Sequence, residues 1–179
     1  MAESTDKRLS AEARSLLFVL EELSALVHDL DPADYSARPG SPFESSVGAH
    51  VRHALDHVSA LEALEKNQTI TYDRRERGTD VEVDRDAALE RISILAELVE
   101  TLGLEEPDRA VEIEHMLSCD GQTTIIKSTL KRELVFVFHH LIHHNAMIAN
   151  RLRLLDIELP AGFGFAPATL HSGNTPARS

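Results

Sequence analysis

The chain has 179 residues, ten of them histidines, and carries 18 Lys and Arg against 30 Asp and Glu, for a formal charge of -12. This acidic balance argues against a nucleic-acid partner, because affinity for phosphate backbones comes from clustered Lys and Arg. Hydrophobic residues make up 42%, enough for one core, yet no run approaches the roughly 18 apolar residues of a membrane-spanning helix.

The polar start of the chain and its single cysteine indicate the cellular compartment in which we expect the protein. Residues 1–10 contain no apolar signal segment, and Cys119 has no second cysteine with which to form an internal disulfide. We therefore predict a cytoplasmic protein with a small-molecule partner and no contact with membranes. We expect one domain over 1–170, followed by a disordered tail over 171–179.

Apolar residues at helical spacing predict four helices, over 10–30, from 45 or 46 to 67, over 84–103, and over 128–155. Pro32 ends the first helix, because the residue before a proline is pushed out of the α region. Ser45 or Ser46 is expected to cap the second helix. The last helix is the longest and contains neither Gly nor Pro.

The connections between these helices differ in character. Residues 69–83 form a charged connector, which we expect to be too polar for the core. Residues 110–128 alternate around Asp120-Gly121, which predicts a small β-hairpin between the third and last helices. Gly162 to Pro167 is an irregular apolar segment, either a lid over a site or a cover for one end of the helices. The predicted fold class is an all-α four-helix bundle with one hairpin.

The last helix carries a histidine in its apolar stripe. The stripe includes Val137, Leu141 and Ile148, and His144 fills the missing step between the last two. His140 lies one turn earlier and about 40° around the helix, so both imidazoles project from one face. Two neutral imidazoles one turn apart can share a divalent transition metal ion.

The second helix offers three further candidates, because His50, His53 and His57 fall within an arc of about 60°. Helical angle alone does not select the third ligand among them. A single interior histidine is usually a packed side chain, but several together would each leave buried nitrogens that cost about 1–3 kcal/mol if unmet. The clustering therefore favours a metal site, with His139 and His143 turned away from it.

One face of the last helix outside this stripe is also apolar. It carries the four residues Val135, Phe136, Phe138 and Ile142, which we expect to point away from the metal. A helix that is apolar nearly all round lies in a protein centre or at an interface. We therefore predict a homodimer.

Two segments carry a family resemblance: Ser46-Val47-Gly48-Ala49-His50-Val51-Arg52-His53-Ala54-Leu55-Asp56, and His140-Leu141-Ile142-His143-His144 far downstream. Their order and helix placement resemble the DinB superfamily, including its bacillithiol-transferase-like members, over roughly residues 11–155. The resemblance implies a DinB-type four-helix bundle, often dimeric, with one divalent ion on His53, His140 and His144 and open positions for water or substrate. Where members have Arg-Gly-Gln after the paired histidines, this chain has Asn145-Ala146-Met147, which leaves the substrate class open.

The resemblance further implies a metal-dependent enzyme acting on a small molecule, as a thiol-cofactor-dependent transferase or a hydrolase. Zinc, nickel or iron would suit the three imidazoles, with a low-molecular-weight thiol as a second cofactor. His57 is the candidate base, with the alternative that it orients His53 or packs. The second function considered is a non-catalytic metal-binding or stress-response module, in which closed four-ligand coordination would make the ion structural.

Two of the histidines and three other residues are candidates for the surroundings of the ion. His50 and His143 are second-shell or substrate contacts. Glu133, two turns before His140, either accepts a hydrogen bond from such a group or forms a salt bridge at the helix end. Arg74 and Arg77 in the connector either bind the carboxylates of a thiol cofactor or belong to a solvated charge run.

Overall fold

A computed structural model of the chain describes residues 9–38, 40, 45–73 and 78–173. The protein is mostly helical, with a small three-stranded sheet. In chain order its elements are α1 (Ala11–Asp29), α2 (Pro32–Ser36), α3 (Val47–Ser59), a 3-10 helix (Ala60–Lys66), β1 (Ile70–Thr71), α4 (Asp80–Val83), α5 (Arg85–Gly103), β2 (Ala110–Met116), β3 (Thr123–Thr129), α6 (Leu130–Arg153) and α7 (Pro167–His171).

The four long helices α1, α3, α5 and α6 lie within the predicted segments, and each begins at a capping side chain. The second predicted helix, expected to reach residue 67, is α-helical only to Ser59 and continues as the 3-10 helix. Ser10, Ser46, Asp84 and Thr129 each accept a backbone N–H from the first turn of their helix. Such caps satisfy donors that the helix itself leaves without partners. The cap of α6 is Thr129 rather than Ser128, whose hydroxyl is instead used by a carboxylate.

These helices pack around one apolar core. Helix α1 packs against α5 and α6, and α3 packs against the same two helices, so the four enclose a common interior. In the described ranges, no helix is both long and apolar enough to cross a bilayer. The core contains large side chains that are fully buried, among them Leu16, Leu20, Leu23, Tyr35, Leu55, Leu61, Leu95, Leu102 and Leu134.

The sheet has three strands, where the sequence predicted a two-stranded hairpin. Strands β2 and β3 pair antiparallel, from Ala110 opposite Thr129 to Met116 opposite Thr123. Strand β1 lies on the other side of β2 and pairs parallel to it, with Ile70 opposite Ile113. The sequence missed β1 because a strand of two residues is too short to show an alternating pattern.

The prediction that the connector over 69–83 is too polar for the core was wrong in part. Ile70 is fully buried, and Tyr72 is only 8% exposed. The segment also contains helix α4, whose Val81 carbonyl accepts a hydrogen bond from the Tyr35 hydroxyl at 2.6 Å. High average charge concealed two isolated apolar side chains that enter the core. The candidate Arg74 and Arg77 lie outside the described residues.

The segment after α6 folds back onto that helix. Phe163 is 2% exposed, and Gly164 lies so close to α6 that an added Cβ would be 2.9 Å from the Ala146 Cα and the Asn145 carbonyl oxygen. Gly164 also has a φ of 78°, a conformation that glycine adopts without steric cost. The segment therefore packs beside α6. Residues 174–179 lie outside the described part, so the predicted disordered tail stays a prediction.

Gly48 allows the close contact between α3 and α4, and its replacement provides a test of this packing. A Cβ there would lie 2.2 Å from the Glu82 carbonyl oxygen. We expect Gly48→Ala to lower the free energy of unfolding by about 1–3 kcal/mol, the usual cost of overpacking. Urea unfolding measures this loss. Gly40→Ala, where no atom of the described residues lies within 4 Å of an added Cβ, is the control. Equal unfolding free energies for the two variants would contradict the close contact.

Candidate metal centre

Two pairs of histidines face each other across the contact between α3 and α6. His53 and His57 are four residues apart on α3, and His140 and His144 are four residues apart on α6. Residues at this spacing lie on one face of a helix, and the packing of α3 against α6 turns the two faces together. The interior therefore holds four imidazoles in one cluster, which the sequence predicted from the two helices separately.

Three of these rings have the spacing of ligands that share one ion. Ring centroids are 5.4 Å apart for His53 and His140, 4.7 Å for His53 and His144, and 4.6 Å for His140 and His144. An ion about 2.0–2.1 Å from each coordinating nitrogen, at tetrahedral or right angles, places ring centroids roughly 4.5–5.2 Å apart. The three observed separations agree with this range to a few tenths of an ångström.

A second grouping of three histidines also exists. One ring nitrogen from each of His53, His57 and His140 lies within 4.8 Å of the others. However, the rings of His57 and His140 are stacked, with centroids 3.5 Å apart and planes 20° from parallel. The lone pair of an imidazole nitrogen lies in the plane of its ring, so two stacked, nearly parallel rings do not both direct a lone pair at one ion. We therefore favour His144 over His57 as the third ligand.

Burial keeps His144 in the neutral form that binds metals. It is 6% exposed, and burial, followed by the neighbouring His140 and His53, lowers its pKa to about 3. Its Nδ1 atom is buried and has no hydrogen-bond partner among the described residues. A buried polar atom without a partner costs about 1–3 kcal/mol, a cost that a bound cation would remove. These histidines therefore fit a divalent metal ion.

A cavity of about 460 Å³ opens beside the cluster, which is large enough for a small molecule. Three histidines, His50, His53 and His144, line one side of the cavity. Burial, followed by the nearby His143, lowers the pKa of His50. The remaining lining residues described are Ser45, Ala49, Arg52, Gly78, Glu82 and Met147. A ligand in this cavity would thus meet two of the three favoured metal ligands.

The guanidinium of Arg52 is fixed in the wall of this cavity. Its Nη1 lies 2.7 Å from a carboxylate oxygen of Asp56, and its Nε lies 3.2 Å from a carboxylate oxygen of Glu82. The Arg52 side chain is only 12% exposed. The partial burial of these charges requires such pairing, because an isolated charge is costly to remove from water. The pair with Glu82 joins α3 to α4, and the pair with Asp56 holds the guanidinium within α3.

The structure separates His57 and His143 from the cavity. His57 is 7% exposed, its Nδ1 is 3.2 Å from the His53 carbonyl oxygen, and it is not among the residues that line the cavity. This contact suits an Nδ1–H donor, because a carbonyl oxygen only accepts. His143 is exposed, with its ring centroid 5.3 Å from that of His144. His139 is exposed as well.

Glu133 is a fully buried carboxylate with three partners. It accepts a hydrogen bond from the Tyr72 hydroxyl at 2.8 Å and another from the Ser128 hydroxyl, and it pairs with Arg132 at 2.8 Å. The expected salt bridge therefore exists, together with a contact to Tyr72 that the sequence did not reveal. The only sequence feature that distinguishes Tyr72 is an aromatic residue within a charged connector.

The expectation that Phe136 points away from the histidines was wrong. Its ring centroid is 4.9 Å from that of Tyr72 and 6.1 Å from that of His140. Tyr72 follows strand β1 and packs over the first half of α6, so this part of the helix faces protein. Ile142, at 8% exposed, is buried too, whereas Val135 is 37% exposed.

The chain is similar to known proteins in two comparisons. The sequence profile of the DinB superfamily matches residues 15–148, a range that includes all four clustered histidines. The chain is also 32% identical over 102 residues to a protein of Rhizopus delemar named FK506-binding protein 5. That alignment covers 56% of this chain and 26% of the fungal protein, so it spans about a quarter of that protein's length.

Substitution of the two alternative third ligands distinguishes the two groupings. When both variants are dialysed against saturating zinc, we expect His144→Ala to hold less than one zinc ion per chain and His57→Ala to hold one, because the His57 ring stacks on His140. Metal analysis of both dialysed variants measures the difference. The opposite result, with zinc lost only from His57→Ala, would assign the ion to His53, His57 and His140.

Proposed function

Because the chain belongs to the DinB superfamily, we propose that it binds a divalent metal ion through His53, His140 and His144. One observation carries this proposal: three imidazoles from two helices have the mutual spacing of ligands on a common ion. The packing of the four long helices supports a DinB-type four-helix bundle as the scaffold. Zinc, nickel and iron all suit three imidazole ligands.

We further propose that the protein is a metal-dependent enzyme that acts on a small molecule, as a thiol-cofactor-dependent transferase or a hydrolase. The cavity supports this proposal, since it reaches His53 and His144 and would admit a low-molecular-weight thiol or another small substrate. When bound, the ion would supply Lewis acidity that lowers the pKa of a thiol or water. We place the reaction in the cytoplasm.

Several residues around the proposed ion have proposed roles of their own. His50 lines the cavity and is the proposed substrate contact, while the paired Arg52 and Glu82 hold another part of the wall in place. The role of His57 as a base stays a prediction, and its burial favours the alternative role of packing. Arg74 and Arg77 stay candidates for binding the carboxylates of a thiol cofactor.

A non-catalytic module with a structural ion is the alternative. The observation that favours it is the fourth histidine, His57, whose ring nitrogen lies within 4.8 Å of those of His53 and His140. Structural zinc sites use four protein ligands, whereas catalytic sites keep a position open. If His57 joined the other three, no position for substrate would remain on a four-coordinate ion.

Removal of a shared ligand tests both functions at once. We expect His53→Ala and His140→Ala to lose bound metal and any thiol-transfer activity toward an electrophilic acceptor, since both residues belong to each grouping. His139→Ala, which replaces an exposed histidine on α6, is the matched control and should keep both. Full metal content in both ligand variants would refute the site. Metal-loaded wild-type protein without turnover of any thiol would support the structural alternative.

We also propose a homodimer formed through α1 and α6. Phe18 on α1 is 60% exposed and Val135 on α6 is 37% exposed. A mainly apolar groove of about 670 Å³, which Phe18 lines, lies between these helices and residues 161–170. Burial of exposed apolar surface is the main driving force for such association.

Light scattering at micromolar concentration tests the dimer. We expect the wild-type protein to have twice the mass of the chain and Phe18→Glu to be monomeric, because a carboxylate would be buried in the interface. Ile125→Glu, at a residue that is 57% exposed on strand β3, is the control and should stay dimeric. A strictly monomeric wild-type protein would overturn the proposal.

A further inference from the structure

A stack of three rings connects the sheet to the metal histidines. Tyr72 stacks on His57, with centroids 5.4 Å apart and planes 12° from parallel, and His57 stacks on His140, with centroids 3.5 Å apart. We call Tyr72, His57 and His140 the ring stack. His140 is a proposed metal ligand, whereas the other two members are not. The stack therefore connects this ligand to the residue that follows β1 through one intervening ring.

The far end of the ring stack is anchored on a buried charge. The Tyr72 hydroxyl donates to the fully buried carboxylate of Glu133 at 2.8 Å, and the Ser128 hydroxyl and Arg132 hold the same carboxylate. Burial, followed by the nearby Glu133, raises the pKa of Tyr72 well above its usual value, so the hydroxyl stays protonated and donates. A buried carboxylate needs its partners, so this hydrogen bond holds the Tyr72 ring against Glu133.

His57, the middle ring of the stack, contacts both His53 and His140. His57 has its Nδ1 3.2 Å from the His53 carbonyl oxygen while its ring lies flat on His140, so it touches the residues of two proposed ligands. The ring of Phe136 closes the side of the stack, with its centroid 4.9 Å from that of Tyr72 and 6.2 Å from that of His57. Rotation of His57 would therefore disturb contacts with both His53 and His140.

We infer that Tyr72 is a positioning residue for the metal centre, which holds the His140 ring in its ligating orientation through His57 and is itself anchored by Glu133. The inference rests on the proposed metal binding by His53, His140 and His144. Residues behind metal ligands usually orient them by hydrogen bonds, and their loss typically costs 10–100-fold in metal affinity. Here stacking performs that task. Since Tyr72 directly follows β1, the inference also gives the small sheet a role at the site.

Titration with Co²⁺ tests this inference without any assay of activity. We expect Tyr72→Leu, which removes the ring, to weaken Co²⁺ binding by about 10–100-fold and to change the visible absorption bands of the bound ion. Tyr72→Phe keeps the ring but not the donor to Glu133, so we expect a smaller loss in the same direction. Tyr35→Phe is the matched control, because Tyr35 is also buried and donates to the Val81 carbonyl but packs beside Gly48.

The outcomes separate this inference from the proposed function. Wild-type affinity and absorption bands in Tyr72→Leu would overturn the inference, and so would an equal loss of affinity in Tyr35→Phe, which would indicate a general loss of stability. If circular dichroism shows that Tyr72→Leu does not fold, Tyr72→Phe decides, and its unchanged affinity and bands would overturn the inference. Failure of the wild-type protein to bind any Co²⁺ would instead refute the proposed function.

Discussion

Burial of imidazole rings between two apolar helices is the constraint that organises this protein. His144 occupies a core position between Leu141 and Ile148, both of which are buried, and its Nδ1 atom is removed from water. Such groups need a hydrogen-bond partner or a cation, because leaving one unmet costs about 1–3 kcal/mol. The rings of His53, His140 and His144 have centroids 4.6–5.4 Å apart, a spacing at which one ion could serve as their common partner. Folding and metal binding would then stabilise each other.

The histidine cluster is packed against protein on one side and open to a cavity on the other. On one side, Glu133, Tyr72 and Phe136 are packed into protein, and the buried carboxylate has three partners. On the other side, a cavity reaches His53 and His144. A closed side that orients ligands and an open side that admits a substrate are what metal-assisted catalysis requires. The asymmetry is therefore the strongest structural support for an enzyme.

His57 illustrates why the number of nearby histidines does not define a site. By the distances between ring nitrogens it belongs with His53 and His140, whereas its stacking on the His140 ring favours a supporting role. A stacked imidazole can still contribute by fixing the orientation of its neighbour. The difference between ligand and support decides whether the ion keeps an open position, and with it whether the site suits catalysis or structure.

The sequence by itself determined the four long helices and the two histidine pairs, because helical periodicity is a local property of the chain. It also placed His144 in the core, since one position of an apolar stripe was occupied by a histidine. The tertiary structure alone decided which rings meet, that Tyr72 joins Glu133 across 61 residues of sequence, and that Phe136 lies beside the histidines. These contacts depend on how β1 pairs with β2 and how α3 packs on α6, and no local pattern encodes either arrangement.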